Sequence, residues 1–265
     1  MSRAMALPRR GALLFAGASA LAGSGARAEV GHGVTPRQFE RWLALRGGLD
    51  GPAFWYSEGL VRSVKDGAVQ SRMLGVETWV TAKTSANAAT SLSRKIYFFP
   101  RTDSDTIVAD DTGRPRRPSI FVYQLRTFTL TDGAIDYGVE SHDLNGVRQG
   151  AKGSVYTVTS RGEQLHVNYA IFRGGVTAEI YDYFDNGPKL AALPDRYQMA
   201  WAGVTTTAGT VANQRGWRFP RFDSVPNEWL KRTVRDRFPL WMQPPKDMAE
   251  IETLRATVPY RVEGL

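Results

Sequence analysis

The chain predicts an all-β fold: an antiparallel barrel with a short helix before it and two helices after it. Three observations predict it. Nine runs rich in β-branched and aromatic residues lie between about 53 and 205, bounded by Gly, Asp, Asn and Pro. Short turns of hairpin type join several consecutive runs, so neighbours in sequence pair in order, as in an up-and-down barrel. Helical spacing of apolar residues is confined to the two ends.

The first helix follows Thr35-Pro36, where Phe39, Trp42, Leu43 and Leu45 keep the i, i+3, i+4 rhythm of one apolar face. Thr35 is placed to cap it, Pro36 suits its first position, and Gly47-Gly48 ends it. The strands read as 53–65, 70–82, 94–100, 118–130, 134–141, 154–160, 165–173, 176–184 and 197–205. Asp66-Gly67, Thr131-Asp132-Gly133 and Arg161-Gly162-Glu163 supply turns with a glycine ready for a positive φ. Residues 83–93, mostly Ala, Ser, Thr and Asn, read as a loop, and so do residues 101–117. Beyond Gly216 the character changes: 226–237 and 246–255 show helical spacing, with Ser224 and Asn227 near the first as capping residues and prolines between the two. A lone amphipathic helix is marginal in water, so both are expected to pack on the barrel or close one of its ends. The outline is calycin-like, one domain over 29–265 with a helical extension from about 225.

Composition excludes several chemistries. Without a single cysteine there is no disulfide, thiol nucleophile, thiolate zinc site or Cys-ligated iron–sulfur cluster, and three histidines make a poor metal cage. Asp103, Asp105, Asp110 and Asp111 share one loop, but it lacks the central Gly of a calcium loop and has Arg114 where the bidentate Glu belongs. No metal site is assigned. P-loop, G-x-G-x-x-G, G-x-S-x-G and H-E-x-x-H patterns are absent, so no cofactor is assigned either.

Residues 1–28 read as a cleaved signal peptide: a basic start, a Gly/Ala/Leu stretch over 11–22 and Ala26-Arg27-Ala28 as the cleavage site. The stretch is shorter and less apolar than the roughly 20 residues a bilayer span needs, which argues against a retained anchor. Arg9-Arg10 before it resembles a twin-arginine export signal, favoured over general secretion, with a periplasmic or secreted product. Cleavage removes four arginines and no acid, halving the formal charge of +8. That weakens any nucleic-acid reading, which wants Lys and Arg gathered on one face. No nucleic-acid partner and no stable membrane insertion after cleavage are expected.

Candidate site residues come from strand alternation, because a polar residue on the inner face of a small barrel needs a reason. Phe54-Trp55-Tyr56 puts bulk on both faces of the first strand, so either both faces are covered or one lines a pocket. Glu58, on the face of Phe54 and Tyr56, reads as a proton shuttle beside aromatic walls, or as an edge carboxylate paired with Arg62 or Lys65. Across the 165–184 hairpin, His166, Asn168, Glu179, Tyr181 and Tyr183 read as neighbours able to supply an acid, a base and donors; the competing reading is a solvent face. His142-Asp143 reads as a loop pair at a strand end. The candidate catalytic residues are therefore Glu58, His166, Glu179 and Tyr181, and the ligand-binding ones Trp55, Tyr56, Asn168 and Tyr183.

The order Trp42-Leu43-Ala44-Leu45-Arg46-Gly47-Gly48-Leu49-Asp50-Gly51, Phe54-Trp55-Tyr56, Glu58-Gly59, Leu74-Gly75-Val76-Glu77 and Asp111-Thr112-Gly113 resembles a family of exported proteins grouped as a domain of unknown function, many with twin-arginine signals. The resemblance covers about residues 38–205. It implies export and carries no activity or catalytic residue.

Two functions of different class follow from the residues. One is an exported barrel that binds a small apolar or aromatic molecule and acts on it by cofactor-independent acid–base chemistry, of isomerase, cyclase or lyase type. The other is a periplasmic carrier of a hydrophobic metabolite. Trp and Tyr at a barrel mouth equally suit a homodimer interface.

Overall fold

The computed structural model describes residues 33–49, 51–109, 112–144, 148–161, 164–173, 177–185, 199–207 and 210–256; over 148–207 that description is of strand course and register. The fold is antiparallel β with helices at both ends. After α1 (Pro36–Gly47) come β1 (Ala53–Ser63), β2 (Val69–Ser85), β3 (Ala88–Phe98), β4 (Ser119–Thr131), β5 (Ala134–Asp143), β6 (Arg148–Arg161), β7 (Gln164–Arg173), β8 (Thr177–Asp185), β9 (Met199–Thr207) and β10 (Thr210–Phe219), then α2 (Glu228–Arg237) and α3 (Met248–Ala256). Each strand pairs with the next, and β10 pairs with β1 from Phe54↔Phe219 to Ser63↔Thr210.

Alternation gives this sheet two different faces. On one, Ala53, Trp55, Trp79, Phe128, Ile135 and Tyr137 pack against Phe39, Trp42 and Leu43 of α1. On the other, Tyr56, Leu74, Val76, Ile96, Phe98 and Val122 pack against Leu230, Val234, Phe238 and Trp241 of the C-terminal segment. Both faces of the Phe54-Trp55-Tyr56 run are thus covered, with Trp55 under α1 and Tyr56 under the C-terminal segment. We call them the α1 face and the C-terminal face.

α1 begins as the sequence predicts. The Thr35 side chain accepts from Gln38 N while the Gln38 side chain accepts from Thr35 N, a reciprocal capping box, and Gly48 ends the helix in the left-handed region. Asn227 caps α2 by accepting from Leu230 N at 2.8 Å.

Three expectations need correction. Residues 83–93 are not a loop: β2 runs on to Ser85 and β3 starts at Ala88. The end of α1 sits close on these two strands, for a Cβ on Gly47 would lie 2.0 Å from Thr81 Oγ1 on β2 and 3.3 Å from Ser91 Oγ on β3. Bulkier residues there would push the end of α1 off the sheet. A tenth strand, β10, lies where the sequence predicts none: Asn213, Gln214, Arg215 and Gly216 have little strand propensity, and two flanking ladders override it. His142 is no loop residue but lies within β5, buried and stacked on Tyr123 with ring centroids 4.7 Å apart.

A β-bulge decides what β4 presents. Lys95 pairs with Phe121 and Ser93 with Gln124, so two residues of β4 oppose one of β3. The extra residue reverses the alternation, bringing Gln124, Arg126 and Phe128 to the α1 face. Trp241 secures the C-terminal segment beside it, donating Nε1–H to the carbonyls of Lys95 (3.0 Å) and Phe121 (3.2 Å).

The β4–β5 turn holds the chain ahead of α1. Asp132 and Gly133 both have positive φ, 50° and 75°, as a two-residue hairpin turn requires. Val34 N donates to Gly133 O at 2.7 Å, and a Cβ on Gly133 would come within 2.8 Å of Gly33 Cα. Gly67 has a similar φ of 73° but open space around it. Gly67→Ala is therefore expected to cost about 1–2 kcal/mol from backbone strain alone. Gly133→Ala should cost a further 1–3 kcal/mol or so from the clash. Urea midpoints of the two variants against the parent check this difference.

Candidate functional site

The α1 face is the unusual surface of this molecule, for below the apolar contacts of α1 it is polar and charged. Glu77 on β2 is its centre. Arg46, in the last turn of α1, donates Nη2–H to Glu77 Oε2 at 3.0 Å; Lys95 Nζ lies 3.0 Å from the same oxygen, and Trp79 Nε1–H donates to it at 3.1 Å. Tyr97 donates its phenol hydrogen to Oε1. Cross-strand pairing explains the convergence: Glu77 stands opposite Lys95 on β3 and Trp55 on β1, and the Trp55 indole N–H holds the carbonyl of Arg46 at 3.1 Å.

Burial pushes the Glu77 carboxyl upward. The charges of Lys95 and Arg46 and the Tyr97 hydrogen bond more than offset it and hold the group well below the ordinary carboxylate range. Glu77 is thus ionised and fully engaged at neutral pH.

A second group adjoins the first through Trp79. Arg46 lies 3.8 Å and Arg126 4.0 Å from the Trp79 ring centroid, two guanidinium groups sharing one indole. Arg126 donates Nε–H to Tyr137 Oη (2.5 Å), Nη1–H to Ser93 Oγ (2.6 Å) and Nη2–H to Gln124 Oε1, while Gln124 Nε2–H donates to Ser141 Oγ at 2.7 Å. Ser57, one pair along β1 from Trp55, is 0% exposed and its Oγ has no hydrogen-bond partner. It stands between Gly75 and Gly216 in register, with the Tyr97 ring over Gly75.

The predicted site residues do not form one group. Trp55 belongs to the α1 face, whereas Tyr56 and Glu58 lie on the other. Tyr56 donates to Glu58 Oε2 at 2.7 Å and stacks on Trp217 at 5.8 Å. Burial, and then the Glu58 carboxylate, push the Tyr56 phenol far up, so it stays protonated. Glu58 takes no partner from Arg62 or Lys65. Arg215, opposite it on β10, clamps Oε1 through Nε (2.9 Å) and Nη2 (2.5 Å). Glu58 and Arg215 line a surface groove of about 580 Å³ with Arg62, Arg72, Asn213 and Gln214, not an aromatic pocket.

The side chains of His166, Asn168, Glu179, Tyr181 and Tyr183 lie outside the described residues. Their places in the strand ladder are described. His166 pairs with Phe184 and Asn168 with Asp182, while Glu179, Tyr181 and Tyr183 pair with Ile171, Tyr169 and Val167. No two of these five residues stand directly opposite one another across the β7–β8 ladder. Continued through β9 and β10, the same rows join Tyr183 to Ser57 and Tyr181 to Gly59.

Strand alternation carried a signal for the residues that were missed. Gly75, Glu77 and Thr81 alternate with Leu74, Val76 and Val80, and Ser91, Ser93, Lys95 and Tyr97 with Leu92, Ile96 and Phe98. Such a pattern ordinarily denotes a solvent face; here Glu77, Thr81, Ser91, Ser93 and Lys95 are buried.

Among the described residues no three His, Asp or Glu side chains gather into a metal-binding cluster, and Asp103 and Asp105 face Arg101 and Arg72. Asp110 and Asp111 lie outside the described residues. No described helix is long and apolar enough to cross a membrane. The chain matches no family model and no curated protein.

Glu77→Gln should leave Arg46 and Lys95 without their shared counter-charge and cost about 3–5 kcal/mol. An unfolded Glu takes up its proton near pH 4.3, whereas folded Glu77 does not. Its contribution is therefore complete above that pH and is lost as the pH falls below it. Denaturation curves from pH 6 to 2.5 are expected to fall more steeply for the parent than for Glu77→Gln.

Proposed function

We propose that this chain is an exported small-molecule binding protein, and that its cyclic sheet works as a calycin-like barrel with the α1 face turned inward around an aromatic or apolar ligand. One observation carries this reading: the α1 face, which a purely structural core would fill with apolar side chains, instead spends buried charges and hydroxyls. Buried ion pairs are weak devices for stability, and apolar replacements of equal volume often do better. Ligand sites, by contrast, combine aromatic walls with a few fixed polar groups, as Trp55, Trp79 and Tyr97 do with Glu77, Lys95 and Ser57.

Of the two classes, carrier and acid–base enzyme, the carrier is favoured. General acid–base work wants a group that titrates near the working pH. Glu77 is held ionised by two cations and Tyr56 is held protonated, so neither is poised to exchange a proton, and both Glu58 oxygens are already engaged by Tyr56 and Arg215. These groups orient; they do not shuttle. The signal-like residues 1–28 support a periplasmic or secreted location.

Native mass spectrometry of the protein purified from its own cell envelope tests the proposal. A small molecule is expected to be retained and recovered unchanged after incubation, as a carrier requires. Glu58→Gln should leave retention as it is. Ser57→Ala, which deletes a hydroxyl with no partner, should keep the urea midpoint yet weaken rebinding about fivefold, one ordinary hydrogen bond. A clean apo mass together with no saturable binding of aromatic probes would sink the reading, and conversion of the retained compound would move it to the enzyme class.

A further inference from the structure

We propose that Arg126 is an anion receptor on the α1 face, and that the molecule bound there carries a carboxylate or phosphate-type group. The inference rests on the binding role proposed above and names the chemistry of its ligand. Four cations are buried among the described residues: Arg46, Arg94, Lys95 and Arg126. Three of them reach a carboxylate, Arg46 and Lys95 on Glu77 and Arg94 on Glu250. Arg126, 2% exposed, differs from them, for its partners are the neutral Tyr137, Ser93 and Gln124 and the Trp79 ring.

A guanidinium stays charged at any physiological pH, and a buried charge is normally matched by an opposite one. Neutral acceptors hold it in place without neutralising it. Trp79 offers only the quadrupole of an indole, already shared with Arg46. Glu77 is taken by four other donors. Two hydroxyls and an amide do not by themselves call for a charge, since a hydroxyl can donate to a neutral acceptor as readily as accept.

The unused donors point the same way. Of the five N–H groups of a guanidinium, three are occupied, leaving one on each Nη, the pair of atoms that a carboxylate or phosphate takes bidentately. Ser93, 0% exposed, accepts from Nη1 and so keeps its own hydroxyl hydrogen for a further acceptor. Gln124 is turned with its oxygen toward Arg126 because Ser141 accepts from its amide nitrogen. The group is therefore rich in donors and assembled before any ligand arrives. Its position depends on the β4 bulge, without which the alternation would carry Arg126 to the other face.

Calorimetric titration of the mature chain at constant ionic strength tests this with four probes: benzoate, phenyl phosphate, benzyl alcohol and inorganic phosphate. Benzoate or phenyl phosphate is expected to bind at least tenfold tighter than benzyl alcohol. Arg126→Met should abolish that preference while keeping the affinity for benzyl alcohol, and Arg126→Lys, a charge without the fork, should keep only part of it. Competition by inorganic phosphate alone would assign a phosphate group, and a preference for benzoate a carboxylate. If benzyl alcohol binds the parent as tightly as the anions do, the anion receptor is refuted and the small-molecule site survives. If no aromatic probe binds, the site itself is refuted. Should Arg126→Met fail to fold, the parent's preference and the Arg126→Lys result still decide.

Discussion

The carboxylate of Glu77 is the tie on which the α1 face depends. Four donors from three elements meet on its two oxygens: Arg46 from α1, Trp79 from β2, and Lys95 and Tyr97 from β3. Helix, sheet and aromatic wall are thereby fixed to one another by a single ionised group. Two cations this close would repel each other in a dry interior, and the carboxylate alone would resist burial. Each makes the others tolerable, so the arrangement forms as a set.

The same constraint shapes the packing around it. α1 has to approach closely enough for Arg46 to reach Glu77, and the small residues beneath its last turn allow that approach. Thr81 Oγ1 donates to Gly47 O at 2.9 Å and lies 2.5 Å from Ser91 Oγ, so the helix end is bonded to the sheet as well as seated on it. On the other side of the sheet the C-terminal segment fills the space with Phe238, Trp241 and Leu230, and Arg94 reaches across to Glu250 and the carbonyl of Gln243. The two faces are thus chemically unequal: one is closed by apolar bulk, the other keeps charge and hydroxyls under a short helix.

Much of the fold was legible because local chemistry wrote it. Thr35, Pro36 and Gly48 bracket α1; Asp132-Gly133 makes a turn that few other pairs make; Asn227 starts α2. The loop expected at 83–93 and the absent β10 failed for one reason. In both segments the residues have weak strand preference, and ladders to both neighbours decide their conformation. The site was less legible. Glu58 stands out beside three aromatics, yet its partner Arg215 is 157 residues away, and the polar alternation of β2 and β3 does not by itself mark a buried face, because the helix over it is part of neither strand.

The sequence by itself determined the class of fold, the caps, the turns and the absence of thiol chemistry, because each follows from residues within a few positions of one another or from composition. Only the tertiary structure decided which polar face is covered, that Glu77 and not Glu58 is its centre, and that a one-residue bulge brings Arg126 to the α1 face. Those outcomes depend on strand register and long-range burial. In a sheet, a shift of one residue exchanges inside for outside while leaving every local preference unchanged.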